Sequence, residues 1–382
     1  MKLLIHNAHL ISPDLDLPHG SLLIENGRIT SVLDPSQPTP PADTTIDAQG
    51  RMLMPGFIDI HSHGADRHDV CDNSLDAIRH IARTKLREGV TTWLPTTLTQ
   101  PQAKLEEIAA TCAAYHSHPD YPEFCRTPGL HIEGPFINPK NAGAQNPEYV
   151  RPPNFEELHR LHQIFPALIL SLAPDMPGAL TLIEQATAHG ITCSAAHTSS
   201  TAAQIQQAKL AGLRHLTHFC NAMTPLHHRE IGVVGAGLLD DYLLLELICD
   251  TIHLSPDMLR LIFKLIPIDR LLMITDSMAA SWIGNGHTQL GGLEVTVENH
   301  VARLTHGGAL AGSALRFNHG LRNVAEITGL PLDQLVKTTS WNQAQSLNLQ
   351  GFGKLHPGYH ADLVLLNPDF EIHQTFIAGH PR

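Results

Sequence analysis

The rhythm of polar and apolar positions changes twice along this chain. From residue 2 to about 35, short β-type runs alternate with turns: Leu3-Leu4-Ile5, His9-Leu10-Ile11, Ser21-Leu22-Leu23-Ile24, the tight turn Glu25-Asn26-Gly27, then Arg28-Ile29-Thr30-Ser31-Val32. This pattern predicts a small antiparallel sheet. A Pro-rich loop over 34–43 leads through one more strand near Thr45-Ile46-Asp47 into the apolar run Met54-Pro55-Gly56-Phe57-Ile58-Asp59-Ile60. From there, apolar strands alternate with helical stretches, as in a helix over 74–88 feeding a strand at 89–96 and a helix over 178–189 feeding 191–197. After Gly353 the chain returns to short β segments at 355–366 and 370–377.

Repeated strand–helix alternation predicts an α/β fold: a (β/α)8 TIM-type barrel over 55–349, with functional residues at the C-terminal ends of its strands. Chain ends often lie close together, so 1–54 and 350–382 are expected to pair as one small β-sandwich domain. The 382 residues suit this division, since such a barrel takes up about 250 by itself.

Composition narrows the partners. At 42% hydrophobic and 16% charged, the chain can bury a sizeable core. A formal charge of −12 and the lack of any Lys/Arg-rich run argue against nucleic acid, while an anionic small substrate needs only a local cationic pocket. The start Met1-Lys2-Leu3-Leu4-Ile5-His6-Asn7 has no leader-like apolar region, and no stretch approaches the roughly 18 uncharged apolar residues of a membrane span. The expectation is a cytoplasmic protein with no membrane partner. Cys71, Cys112, Cys125, Cys193, Cys220 and Cys249 form no CxxC pair, which points to reduced thiols rather than a disulfide framework.

The candidate chemistry sits where apolar strands end. In Phe57-Ile58-Asp59-Ile60-His61-Ser62-His63, side chains alternate faces, so His61 and His63 project to one side and can grip a cation together. Glu133 ends Leu130-His131-Ile132-Glu133, His197 ends Cys193-Ser194-Ala195-Ala196-His197, His218 ends His215-Leu216-Thr217-His218, and Asp276 follows the apolar Leu271-Leu272-Met273-Ile274-Thr275. Singly, each has a bland reading: a strand-end histidine is commonly a hydrogen-bonded structural residue, and an aspartate there commonly caps the next helix. Two histidines one residue apart are unremarkable in a chain with 27 of them. Jointly, the six positions favour metal binding: two nearby cations sharing Glu133, one on His61 and His63 and the other on His197 and His218, with Asp276 as a catalytic carboxylate at the barrel mouth.

At these residues the sequence resembles the amidohydrolase superfamily, and within it the N-acetylglucosamine-6-phosphate deacetylase family. The resemblance runs through 54–64, Gly-Val-Thr-Thr-Trp-Leu-Pro-Thr-Thr at 89–97, His-Ile-Glu-Gly-Pro-Phe-Ile-Asn at 131–138, the loop 143–150, Ala196-His197-Thr198, His218-Phe219-Cys220-Asn221-Ala222-Met223, Arg229-Glu230, His253, Thr275-Asp276 and Leu310-Ala311-Gly312-Ser313. It implies a metal-dependent hydrolase that removes acetate from an N-acetylhexosamine 6-phosphate. Glu133, His197 and His218 would hold the principal divalent ion, zinc as first expectation, and His61 with His63 a second. Asp276 would take the proton from water and return it to the leaving amine. Asn221, Ala222, Arg229 and His253 would bind the sugar phosphate, Arg229 and His253 reaching the neighbouring site of a homodimer. Read without the family, Arg229 beside Glu230 is a solvated surface pair.

Two departures stand out. Gln145 in Gly143-Ala144-Gln145-Asn146-Pro147 replaces a family histidine associated with polarising the acetyl carbonyl; a glutamine amide can donate a hydrogen bond to an oxyanion but carries no positive charge. Asp250-Thr251-Ile252-His253 replaces a family Asp-Gly, which is expected to add bulk near the phosphate pocket. These departures motivate the alternative of an N-acetylgalactosamine 6-phosphate or another N-acyl amino sugar. A non-catalytic scaffold is the third reading, disfavoured because the ligand set and Asp276 are complete.

Overall fold

The computed structural model describes residues 2–382. Eight parallel strands follow one another in sheet order: β1 (Phe57–Ser62), β2 (Val90–Thr97), β3 (Leu130–Glu133), β4 (Ala167–Leu172), β5 (Thr192–Ala195), β6 (Leu213–Leu216), β7 (Leu244–Ile248) and β8 (Leu271–Ile274). The ring closes past the end of β8, where Asp276 N–H donates to His61 O at 2.9 Å and Ser277 bridges Ser62. This is the expected (β/α)8 barrel. Its lower interior is filled by Ile58, Ile60, Leu94, Ile169, Leu244, Ile248, Leu272 and Ile274, the branched residues typical of such layers.

The helices between strands bury apolar stripes against the outside of the ring. The helix Leu75–Leu86 shows why: Ser74 caps its N-terminus by accepting from Ala77 N–H, while Ile78, Ile81, Ala82 and Leu86 recur at helical spacing and are buried.

Both chain ends meet in the small domain. Leu363–Leu366 pairs antiparallel with Met52–Pro55, and the sheet runs on through Lys2–Ser12, Leu15–Glu25 and Arg28–Leu33. Alternation divides these strands between two cores. Leu53, Leu363 and Leu365 join Leu3, Ile5, Leu22, Ile24 and Phe376 inside the small domain, whereas Met52, Met54, Val364 and Leu366 pack into the barrel cluster. That strand pair therefore contributes to both cores at once, and Ile11 and Ile377 of the same sheet also pack into the barrel cluster.

One element has no counterpart among those the sequence pattern predicts. Between β8 and the last helices, Gly286–Leu290, Leu293–Glu298 and Val301–Leu304 form a three-stranded antiparallel sheet. Leu290, Val295, Val297 and Ala302 fold it down onto Leu98, Met278, Ala279, Ala280 and Ala311, over the barrel mouth. No helix among the described residues is long and apolar enough to cross a membrane.

Candidate metal centre and active site

At the C-terminal end of the barrel a cavity of about 320 Å³ is lined by His63, Glu133, Gln145, His197, His218, Asn221, Ala222, His253 and Asp276. His61 lies beneath it, fully buried.

Strand β1 delivers its two histidines through an irregularity. Asp59 bonds Lys85 on the helix outside, while Ile58 and Ile60 belong to the interior layer; the pairing register with β2 then shifts between Asp59 and Ser62. That shift lets His61 follow Ile60 into the barrel. Several of the other site residues leave their strands through left-handed backbone: His197, His218, Ala222 and Asp276 have φ of 44°, 32°, 51° and 49°. Such conformations are uncommon outside glycine and gather at functional sites.

Glu133 is the hub. Its Oε1 lies 3.2 Å from His218 Nε2, 3.4 Å from His197 Nε2 and 3.5 Å from His61 Nε2, and its Oε2 lies 3.2 Å from His63 Nε2. Asp276 Oδ1 stands 3.3 Å from His63 Nε2 and 3.5 Å from His61 Nε2. Two sets, His61–His63–Glu133 and Glu133–His197–His218, bring their donor atoms within 4.8 Å of one another, with every residue buried. The back of two rings is tied to main chain: His197 Nδ1 bonds Asn141 O at 2.8 Å and His63 Nδ1 bonds Thr96 O at 3.2 Å. Each carbonyl fixes the ring so that Nε2 faces Glu133.

The donor chemistry fits a divalent cation. Both nitrogens of His61, and Nδ1 of His218, are buried without a hydrogen-bond partner, a costly state that coordination to an ion relieves at whichever nitrogen it reaches. Burial alone would push the imidazoles down and the carboxyls up. The carboxylates of Glu133 and Asp276 outweigh it, raising His61, His197 and His63, the last to about 9, while His61 and its neighbours hold Glu133 well below the usual carboxylate range and Asp276 below its own.

The remaining sequence candidates divide. Asn221, Ala222 and His253 line the cavity, and Asp250 Oδ2 holds His253 Nδ1 at 2.7 Å. Arg229 does not: it is exposed on a loop, where its guanidinium meets His228 Nε2 at 2.8 Å, and no ion pair with Glu230 forms. Gln145 is 3% exposed; its Nε2 donates to Glu133 Oε2 at 2.6 Å and its Oε1 accepts from Thr99 N–H at 2.7 Å. One N–H of the amide thus remains for another partner. Thr251 departs from expectation, because it faces a neighbouring cleft instead of this cavity.

Three supporting groups are not among the residues the sequence pattern singles out. A main-chain carbonyl such as Asn141 O carries no sequence signal. Glu246 carries one, an isolated acid in the buried strand Leu-Leu-Glu-Leu-Ile: its Oε1 lies 2.9 Å from His215 Nδ1 and its unpartnered Oε2 lies 3.5 Å from His61 Nδ1. His131, between Ile60 O and Ser171 Oγ, is visible in the sequence only as part of the HIEGP stretch.

Comparison with known proteins gives the family. The amidohydrolase family pattern matches residues 52–382. N-acetylglucosamine-6-phosphate deacetylase of Lysinibacillus sphaericus is 36% identical over 88% of this chain and 87% of its own. N-acetylgalactosamine-6-phosphate deacetylase of Escherichia coli O157:H7 is 34% identical over 99% of each chain. The crystal structure of N-acetylglucosamine-6-phosphate deacetylase from Thermotoga maritima superposes with a TM-score of 0.89 at 33% identity, covering 99% of both chains. This chain therefore belongs to the amidohydrolase family, in the branch that holds the N-acetylglucosamine-6-phosphate deacetylases.

Proposed function

We propose that this protein hydrolyses the acetamide of an N-acetylhexosamine 6-phosphate, N-acetylglucosamine 6-phosphate first, releasing acetate and the amino sugar phosphate. The observation that carries the reading is the position of Glu133, with one oxygen toward His197 and His218, the other toward His63, and Asp276 across from them at the cavity floor.

Glu133, His197 and His218 would hold the principal ion, and His61 with His63 a second that shares Glu133. A divalent ion such as zinc supplies Lewis acidity and makes water nucleophilic near neutral pH. Asp276 accepts the proton of the attacking water and delivers it to the departing amine nitrogen, which could not leave as an amide anion. Gln145 offers its free N–H to the oxygen of the acetyl carbonyl as charge develops there. Asn221 and Ala222 bound the sugar. His253, kept toward its charged form by Asp250 against burial, suits a phosphate. Arg229, outside the cavity of its own chain, serves the site of a second copy, so the working unit is a homodimer. Six free cysteines suit a cytoplasmic setting. The division at residues 54 and 349 follows the same plan.

A second reading, N-acetylgalactosamine 6-phosphate, is favoured by Gln145 and by a relative of that name at 34% identity, the same as that of the Bacillus subtilis N-acetylglucosamine-6-phosphate deacetylase. Amine release from a panel of N-acetylated hexosamines, with and without 6-phosphate, tests both. The expected result is the highest kcat/KM on N-acetylglucosamine 6-phosphate and a large loss without phosphate. A ratio near one between phosphorylated and free sugars overturns the phosphate assignment, and a preference for the galacto sugar selects the second reading.

A further inference from the structure

Beside the segment 250–253, and lined by its first three residues, lies a cleft of about 650 Å³ whose walls also include Trp282, Arg316, His319 and Arg322. It is large enough for a hexose-sized ligand. Two arginines stand there against one carboxylate on the wall, Asp250, which is engaged by His253 Nδ1 at 2.7 Å, so the cleft's charge runs against the −12 of the whole chain.

The two arginines there are poorly partnered. Among the described residues, Arg316 has no carboxylate within 4.0 Å and no hydrogen-bond acceptor. It lies over the Trp282 ring at 3.6 Å from the centroid, and Arg87 lies over the same ring at 3.8 Å. Two guanidiniums this close to one centroid must occupy opposite faces. The ring between them is anchored, because Trp282 Nε1 donates to Glu88 Oε1 at 2.7 Å and Glu88 is fully buried. Arg316 is thus held in place by stacking, with its N–H groups unspent. Arg322 has only Glu371, at 3.8 Å, and that carboxylate is nearer to His319, at 3.1 Å. Burial depresses both Arg316 and His319, as expected of cations that lack full compensation.

We propose that this cleft binds a phosphate-bearing small molecule, with the guanidiniums of Arg316 and Arg322 as its anchors. Guanidinium forks match phosphate oxygens two at a time, and a preorganised, partly buried arginine without an acceptor loses little on binding one. The site is separate from the proposed substrate-phosphate site, whose His253 follows Thr251 by two residues and faces the other cavity.

Calorimetric titration of the full-length protein with inorganic phosphate, in phosphate-free buffer, tests the proposal. Arg316→Gln with Arg322→Gln, both half-buried in the cleft wall, should weaken one class of phosphate site at least 10-fold, while Arg316→Lys with Arg322→Lys weakens it less. His253→Ala should leave that class intact. Unchanged phosphate binding in the double Gln variant overturns the proposal, and so does loss of all binding in His253→Ala. Circular dichroism of each variant separates loss of binding from loss of fold, and neither outcome depends on the proposed deacetylase activity.

Discussion

Strand β1 and the end of β8 serve two buried charged clusters, and the two are built to opposite rules. Around Asp59, the Lys85 ammonium bonds Asp59 Oδ2 at 3.1 Å, Glu88 Oε2 at 3.3 Å, Thr275 Oγ1 at 3.2 Å and Ser277 Oγ at 2.8 Å. Glu88 also accepts from Trp282 Nε1 and from Phe317 N–H, and none of the three charged side chains leaves a polar atom unpaired. Two residues along the same strand, His61 has both nitrogens unpaired and faces Glu133, Asp276 and Glu246. The first cluster has closed its hydrogen bonds within the protein, so its charges fix the strand. The second keeps donor atoms free at equal burial, a cost that a site retains when something else is to be bound.

The contrast breaks most sharply at the second cluster. His197→Ala or His218→Ala is expected to abolish retention of the principal ion and all measurable turnover, because a site with three protein ligands cannot lose one and keep its affinity. His61→Ala should spare that ion. Metal analysis of the purified variants checks this, and equal retention of the principal ion in all three would remove the ligand assignment.

Asp276→Asn comes next: the ion should remain while kcat falls by about 10²–10⁴-fold, the usual contribution of a positioned acid/base group. A near-normal kcat would make Asp276 a structural residue and merge the two clusters into one kind.

Lys85→Ala should do the reverse. It leaves Asp59 and Glu88 buried without their cation, costing about 3–5 kcal/mol of stability, and shows in denaturant unfolding instead of in kcat per folded molecule. Burial alone would depress Lys85, but Glu88 and Asp59 hold it above its ordinary value. Its contribution is therefore fully present below about pH 10 and lost as pH rises through the folded value. A stability change that appears on acidification alone would contradict this sign.

Glu246 lies between the two kinds, closed through His215 on one oxygen and open toward His61 on the other. Burial pushes it up, and the hydrogen bond from His215 together with the nearby His61 imidazole pulls it down further, to about 2. Glu246→Gln keeps the shape and is expected to weaken the second ion about 10-fold, the lower end for a group behind a ligand. Equilibrium dialysis reads this directly; an unchanged second binding constant would class Glu246 with the Lys85 cluster.

Much of the centre is legible in the amino-acid sequence. Each site residue ends an apolar strand, and in a parallel barrel all eight strand ends meet at one mouth. Local pattern plus that one rule therefore locates His61, His63, Glu133, His197, His218 and Asp276 together. The insert at 286–304 is not legible in this way, because its strands are short, at four to six residues, and carry polar residues on their open face, so no apolar run announces them.

The sequence by itself determined the strand–helix order of the barrel, the pairing of the chain ends and the strand-end residues gathered at the barrel mouth, since these depend on periodicity and strand direction. Tertiary structure decided the rest. Only packing could turn Thr251 to a second cleft, commit Gln145 to Glu133 and Thr99, leave Arg229 outside the cavity of its own chain and seat Lys85 between Asp59 and Glu88. Those outcomes depend on which side chains meet across long stretches of chain, and on which buried polar atoms find a partner, quantities no local spacing encodes.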